Sequence, residues 1–258
     1  MNITDHIYSE HHRVHTHHCD PHLSARLPYF FQIVQEGAAT HAMLSGCSNP
    51  DFEKIGKAWV LSKIHINVSS YPVWSDEITL ETWIQPTRRF YAPREARAVD
   101  ARGNVLFRTM AYWVIINIET RRPERPDQFL DMIGLSQDRS RWTDTTLGKV
   151  PRLDPDTEDT CFTPQIQYRD IDSVGHVNNI SYLEWMLESM EPSYQEDFLP
   201  CEFEINFTAE SFKDTNLVAS SKENTPGNRL HVISKQTPEG PLETCRARSI
   251  WKPRSELA

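Results

Sequence analysis

Tyr168-Arg169-Asp170-Ile171-Asp172-Ser173-Val174-Gly175-His176-Val177-Asn178-Asn179 joins a strand-like run to a helix pattern through an acid and a Gly-His pair. A helix leaves its first backbone N–H groups without internal acceptors. This order therefore puts a carboxylate, an imidazole and a set of helix N-terminal donors in one neighbourhood, which suits a carbonyl that develops negative charge. Working outward, residues 161–169 read as the strand and 178–190 as the helix. Ile180, Leu183, Leu187 and Met190 form its apolar stripe, with Glu184, Glu188 and Glu191 on another face.

Beyond the helix, Phe203, Ile205 and Phe207 alternate with Glu202, Glu204, Asn206 and Thr208, the period of a half-buried strand. Residues 217–223, 229–235 and 242–251 read as further strands, broken at Pro226-Gly227-Asn228 and Pro238-Glu239-Gly240. The first half repeats the order: a strand over 7–16, a helix over 27–44, alternation at Ile64, Ile66 and Val68, then strands over 78–84, 94–99 and 105–118. His176 is placed over His22, and Phe203-Glu204-Ile205 over Ile64-His65-Ile66. A strand, a long helix and four strands, met twice, indicate an internal duplication; one large α+β domain with chance similarity is the alternative. The expected organisation is an N-terminal unit over 1–126, an exposed linker over 127–160 (rich in Pro, Asp and Thr from Thr143 on) and a C-terminal unit over 161–258. One helix wrapped by about five antiparallel strands is the hot-dog architecture. The fold class is thus α+β, with two tandem hot-dog units expected to pair as a pseudo-dimer.

A net charge of -9 argues against general nucleic-acid binding, which needs a basic footprint. The longest apolar run, Ala111 to Ile116, is far short of the roughly 18 residues of a membrane span. No basic stretch followed by an apolar one opens the chain, so a cytoplasmic protein is expected. The 5 cysteines are widely spaced with no Cys-x-x-Cys pair, which fits reduced thiols. His11, His12, His15, His17, His18 and His22 invite a metal reading, but the spacing lacks the tight ligand pairs of zinc sites, so neither metal nor cofactor is expected.

Asp172-x-x-Gly175-His176-Val177-Asn178-Asn179-x-x-Tyr182 resembles the hot-dog thioesterases. Trp59-Val60-Leu61, Tyr71-Pro72, Trp74-x-Asp76, Thr82-Trp83, Trp113-Val114, Asn117-x-x-Thr120-Arg121-Arg122, Glu184-Trp185 and Leu187-Glu188 narrow the likeness to the acyl-acyl-carrier-protein (acyl-ACP) thioesterases, over nearly the whole chain. With no stretch like a plastid transit segment before the first unit, a bacterial cytosolic enzyme is expected. The resemblance implies hydrolysis of fatty acyl-ACP in fatty acid biosynthesis, with acyl carrier protein as partner. An acyl-CoA thioesterase and a non-catalytic acyl-binding or carrier-docking module are the alternatives. A homodimer of such chains stays open.

His176 is the candidate proton-transfer group, with a capping or packing histidine as the bland reading. Asp172 is a candidate to orient it or to hold water, the alternative being a turn aspartate bonding its own backbone. Through the resemblance, Glu210 is the third catalytic candidate, as a general base. Ser211 then falls where many members carry cysteine, and Val174 where many carry asparagine. Gly175, Val177 and the N–H groups that follow are the expected oxyanion site, with Asn178 on the substrate or capping the helix. Trp59 and the strand after it are expected to shape the acyl pocket in the first unit. That unit shows no equivalent acid before its histidine, so one active site is expected. A basic landing patch for the carrier is sought among Arg88, Arg89, Arg94, Arg121, Arg122, Arg125, Arg246, Arg248, Lys252 and Arg254.

Overall fold

Between Leu27 and Leu44 the apolar residues recur at helical spacing, and α1 (Leu27–Leu44) forms there with a proline in its first turn, where a missing N–H breaks no bond. It belongs to the first of two units, which divide between Leu147 and Gly148. The computed structural model describes residues 2–135, 147–153 and 160–257.

The first unit carries β1 (Asn2–Thr4), β2 (Ile7–Arg13), α1, α2 (Asn49–Glu53), β3 (Lys57–Val68), β4 (Glu77–Ile84), β5 (Tyr91–Asp100), β6 (Val105–Asn117), β7 (Pro123–Glu124) and α3 (Asp127–Ile133). Its antiparallel sheet runs β1-β2-β4-β5-β6-β3, with β7 on β6. α1 lies on β2 and β4. Gly37 allows the close approach, since a Cβ there would stand 2.8 Å from Leu80 Cδ2. Phe30 of α1 stacks on Phe107 of β6 at 4.6 Å, which identifies the sheet face turned to the helix.

The second unit carries β8 (Thr160–Phe162), α4 (Asn179–Glu188), α5 (Pro192–Asp197), β9 (Phe198–Phe207), β10 (Leu217–Thr225), β11 (Asn228–Thr237) and β12 (Gly240–Pro253). Its antiparallel strands lie in the order β9-β12-β11-β10-β8, and α4 rests on β8, β10 and β11. Leu183 and Met186 of α4 are fully buried, as are Phe203, Ile205, Leu217 and Ile233 of the sheet. Each such side chain contributes about 1.5–3 kcal/mol of burial. Each unit is thus an α+β hot-dog, a helix against an antiparallel sheet.

Two expectations change. Of the strand expected over 161–169, only Thr160–Phe162 pairs, against β10. Pro164 offers no N–H to extend the ladder, and a 3-10 turn at Tyr168–Asp170 leads into the loop instead. The described part of the expected linker carries some structure of its own: α3 occupies Asp127–Ile133, and Leu147, Val150 and Leu153 are buried among exposed neighbours. Apolar residues at every third position carry it inward. Leu147 joins Met110 and Tyr112 in the first unit, and the Val150 N–H donates to Asn206 Oδ1 at 3.0 Å in the second. Residues 136–146 and 154–159 of that linker lie outside the described residues.

Candidate active site

The Gln167 N–H donates to Asp170 Oδ2 at 2.7 Å and so sets the 3-10 turn. Asp170 is buried; its Oδ1 accepts from Ser181 Oγ at 3.2 Å and its carbonyl accepts the Asn178 N–H at 2.8 Å. This acid ties the turn to the start of α4. Asp172 closes the loop that follows. Its N–H donates to the His176 carbonyl at 2.8 Å and its carbonyl accepts the Gly175 N–H at 3.1 Å. Its Oδ1 accepts the backbone N–H groups of Val174 and His176, each at 3.0 Å. Gly175 lies at φ +86° with open space where a Cβ would stand, so the glycine serves the left-handed turn rather than a close contact. Asn178 caps α4, its Oδ1 accepting the Ile180 N–H at 2.9 Å.

A second loop meets this one. After β9 the chain runs through Thr208 to Phe212, and the Ser211 carbonyl accepts the Val177 N–H at 2.9 Å. That bond brings Glu210 beside His176, with Nε2 3.8 Å from Oε2. The Phe212 ring meets the imidazole edge-on, 5.1 Å between centroids. The two polar side chains are 26% and 27% exposed, so solvent reaches both. The gap of 3.8 Å is too long for a direct hydrogen bond, yet one water can sit about 2.8 Å from each atom. Such a water stands between two proton acceptors.

The loops therefore bring His176 and Glu210 together, while Asp172 approaches the pair only through the main chain. Among the described residues, no side-chain bond joins Asp172 to the His176 ring. The expected open donors change too: the N–H groups of Gly175, His176, Val177 and Asn178 all have acceptors within the fold. At the helix start the Asn179 N–H has none among the described residues, whereas Ile180 and Ser181 are taken by Asn178. Trp59 belongs to its own unit's core, with Nε1 donating to the Cys47 carbonyl at 2.9 Å and the ring stacked on Phe52 at 5.3 Å.

Sequence reasoning passed over Phe212, the Ser211 carbonyl and the Tyr182 hydroxyl. Tyr182 Oη and Ser211 Oγ are both buried without a completed hydrogen bond. Burial pushes the Tyr182 phenol up to about 12. Tyr182 stands three positions after Asn179, almost one helical turn, and that spacing was the available signal.

The first unit contains the same turn, with matching main-chain bonds and a matching aspartate. A 3-10 turn at Thr16–His18 is set by the His15 N–H donating to His18 Nδ1 at 3.2 Å. The Asp20 N–H donates to the Ser24 carbonyl at 2.9 Å, and the Asp20 carbonyl accepts the Leu23 N–H at 3.0 Å. Asp20 Oδ1 accepts the His22 and Ser24 N–H groups at 2.9 and 3.1 Å. The Arg26 N–H reaches the His18 carbonyl and the Ala25 N–H the Pro72 carbonyl, each at 2.9 Å. Asp20 thus matches Asp172, Leu23 matches Gly175, Ser24 matches His176 and Tyr71 matches Glu210. This corrects two expectations: His22 lies over Val174 rather than His176, and the first unit does hold an equivalent acid. Histidine is the louder landmark in the sequence, but the duplication preserved the turn. An acid kept in the copy that lacks the imidazole is first of all what builds the turn.

Of the sought basic patch, Arg94 is buried, Arg246 and Arg248 pair with Glu243 and with Glu202 and Glu204, and Arg254 donates to the Gln195 carbonyl. Arg89, Arg121, Arg122, Arg125 and Lys252 are exposed. His15, His17 and His18 cluster with ring centroids 4.1–5.7 Å apart, but no three His, Cys, Asp or Glu side chains among the described residues are arranged to hold a metal ion. No helix among them is long and apolar enough to cross a membrane.

The family described as Acyl-ACP thioesterase N-terminal domain matches residues 5–133, and the Acyl-ACP thioesterase C-terminal domain matches 154–253. The chain is 27% identical over 246 residues to a chloroplastic palmitoyl-acyl carrier protein thioesterase of Cuphea hookeriana, covering 86% of this chain and 56% of that protein. It is 26% identical over 232 residues to oleoyl-acyl carrier protein thioesterase 2 of Arabidopsis thaliana, covering 83% and 61%. The chain thus spans little more than half the length of these relatives. The 12:0-ACP thioesterase of Umbellularia californica shares the fold with a TM-score of 0.89 at 23% identity, over 98% of this chain and 100% of that one. An acyl-ACP thioesterase of Bacteroides thetaiotaomicron gives 0.83 at 20% identity, over 97% and 100%.

Proposed function

The chain belongs to the acyl-ACP thioesterase family, and from that membership we propose that it hydrolyses a fatty acyl thioester of acyl carrier protein to free fatty acid and carrier thiol. The observation that carries the reading is the 3.8 Å approach of His176 Nε2 to Glu210 Oε2 beside the start of α4. A water held by both atoms gives a proton to the pair while its oxygen bonds to the thioester carbon. The carbonyl oxygen gains the charge, and the Asn179 N–H with the positive end of α4 is the donor available to it. Collapse breaks the C–S bond, and the pair returns the proton to the departing sulfur. Ser211 is only 1% exposed, which supports direct attack by water over a covalent acyl-serine.

The second unit carries this chemistry, since Ser24 and Tyr71 stand where His176 and Glu210 would be needed in the first. The first unit is then left for the acyl chain. The test is thiol release from palmitoyl-ACP and palmitoyl-CoA side by side. Wild type should prefer the carrier protein, and His176→Ala and Glu210→Gln should each lower kcat/KM by about 10²–10⁴-fold. Faster turnover of the CoA ester would move the substrate class, and tight binding without release would leave a docking module.

A further inference from the structure

Arg94 is a cation in the interior of the first unit with no anion among the described residues to meet it. It points from β5 toward α1, is 5% exposed, and its Nη1 donates to His41 Nδ1 at 3.2 Å and to Thr82 Oγ1 at 3.3 Å. Both partners are neutral. Burial, with Arg94 beside it, pushes the His41 imidazole down to about 3. Burial lowers the guanidinium only to about 10, so it stays charged at neutral pH. Among the described residues it forms no ion pair. An uncompensated buried charge destabilises a fold by several kcal/mol, and a protein has no packing reason to keep one.

The atoms around it lack acceptors as well. An arginine only donates, so His41 Nδ1 is the acceptor and the ring proton sits on Nε2. That Nε2 is buried and has no partner. The pairing registers place Thr109 and Trp113 of β6 on the same sheet face, opposite Ala96 and Ala92. Thr109 Oγ1 and Trp113 Nε1 are likewise buried without partners. Buried polar groups in native folds are nearly always satisfied, and each exception asks for a cause. Here a charged donor and two N–H donors await the same kind of group, one that only accepts and carries negative charge. On that face the neighbours of Arg94 are Ala92 and Ala96 along β5, Ala111 across β6 and Ile84 across β4, mostly small and all apolar.

We propose that Arg94, His41, Thr109 and Trp113 form a binding site for the carboxylate of an aliphatic chain, held between α1 and the sheet of the first unit. The choice of an aliphatic carboxylate over another anion rests on the thioesterase reading; the unpaired cation does not. Two sources supply that chemistry: the free fatty acid product, or an acyl chain with a carboxyl group at its far end.

Calorimetry on the full chain tests the site with dodecanoate and dodecanol. Wild type should bind the acid at least tenfold tighter than the alcohol, and Arg94→Met should remove that preference. Equal binding of acid and alcohol by wild type, or a preference that survives in Arg94→Met, overturns the proposal. Should Arg94→Met fail to fold, the wild-type comparison alone decides. His176→Ala separates the two readings, because it removes hydrolysis and keeps the preference for the acid. Steady-state rates then distinguish the sources. Inhibition by dodecanoate that weakens at least tenfold in Arg94→Met identifies the product. Faster hydrolysis of an ω-carboxydodecanoyl thioester than of the dodecanoyl thioester, lost in Arg94→Met, identifies the substrate's far end. A wild type that shows neither effect has no such site.

Discussion

Asp20 and Asp172 hold the same turn in the two units, each carboxylate accepting the backbone N–H groups two and four residues further on. In the second unit the residue four positions on is His176, and its neighbour Val177 is bonded to the Ser211 carbonyl. Placing the imidazole against Glu210 is therefore a main-chain result: one acid fixes one loop, and one backbone bond fixes the other.

If Asp172 acts through the turn, the amide of Asp172→Asn keeps an acceptor oxygen and most of the geometry. Its kcat/KM should fall less than about tenfold, whereas Asp172→Ala, losing both bonds, should lose about 1–3 kcal/mol of stability and far more activity. Asp20→Ala should lose similar stability and leave hydrolysis nearly intact. Rates with urea unfolding of all three variants decide it. A well-folded Asp172→Asn as inactive as the alanine variant would mean that the negative charge itself serves the chemistry.

Leu23 takes the place of Gly175 in the first turn, at φ +63°, and is 48% exposed. A left-handed conformation costs a branched side chain roughly 1–2 kcal/mol, partly offset in a glycine variant by the added freedom of the unfolded chain. Leu23→Gly should raise stability by up to about 1 kcal/mol in chemical denaturation. No gain would mean that the Leu23 side chain contributes packing equal to the strain.

Ser211 contributes its carbonyl, and its hydroxyl is buried without a partner. Ser211→Ala keeps the carbonyl and removes a desolvated polar atom, so activity should stay within about threefold and stability should hold or rise slightly. An inactive but folded Ser211→Ala would revive the hydroxyl as a nucleophile or relay.

How much the sequence disclosed depends on the kind of signal. α1 was legible from periodicity to its last residue, and the alternation of Phe203, Ile205 and Phe207 marked β9. His176 and Gly175 stood out because each residue type has few bland uses before a helix. The duplication was visible, but its register was not. Registers are set by backbone hydrogen bonds, and Ser24 opposite His176 leaves no trace in composition. Glu210 reached the site by resemblance alone, since the bond from Val177 to Ser211 joins segments too distant for spacing rules. In the sequence Arg94 resembles any surface charge, because a buried arginine without an ion pair runs against the usual partition of charged residues.

Buried histidines make stability depend on pH with a definite sign. His231 is wholly buried, with Nδ1 3.0 Å from Ser221 Oγ, Nε2 2.8 Å from Ser249 Oγ and the ring stacked on Phe203. Burial, helped by Arg229, pushes it down to about 3, and His41 is held at about 3 by burial and Arg94. In the unfolded chain both titrate near 6.5. Above that value neither state binds the proton, and stability is at its full level. Below it the unfolded chain takes up protons that the fold refuses, so stability drops as pH falls from about 6.5 toward 3, by up to about 1.4 kcal/mol per pH unit for each histidine. Urea unfolding between pH 7.5 and 5.0 should show this loss, and His231→Gln should reduce the slope by about one proton. A variant with the wild-type slope would show that His231 is protonated in the folded protein, and its two serine bonds would then need a different proton arrangement.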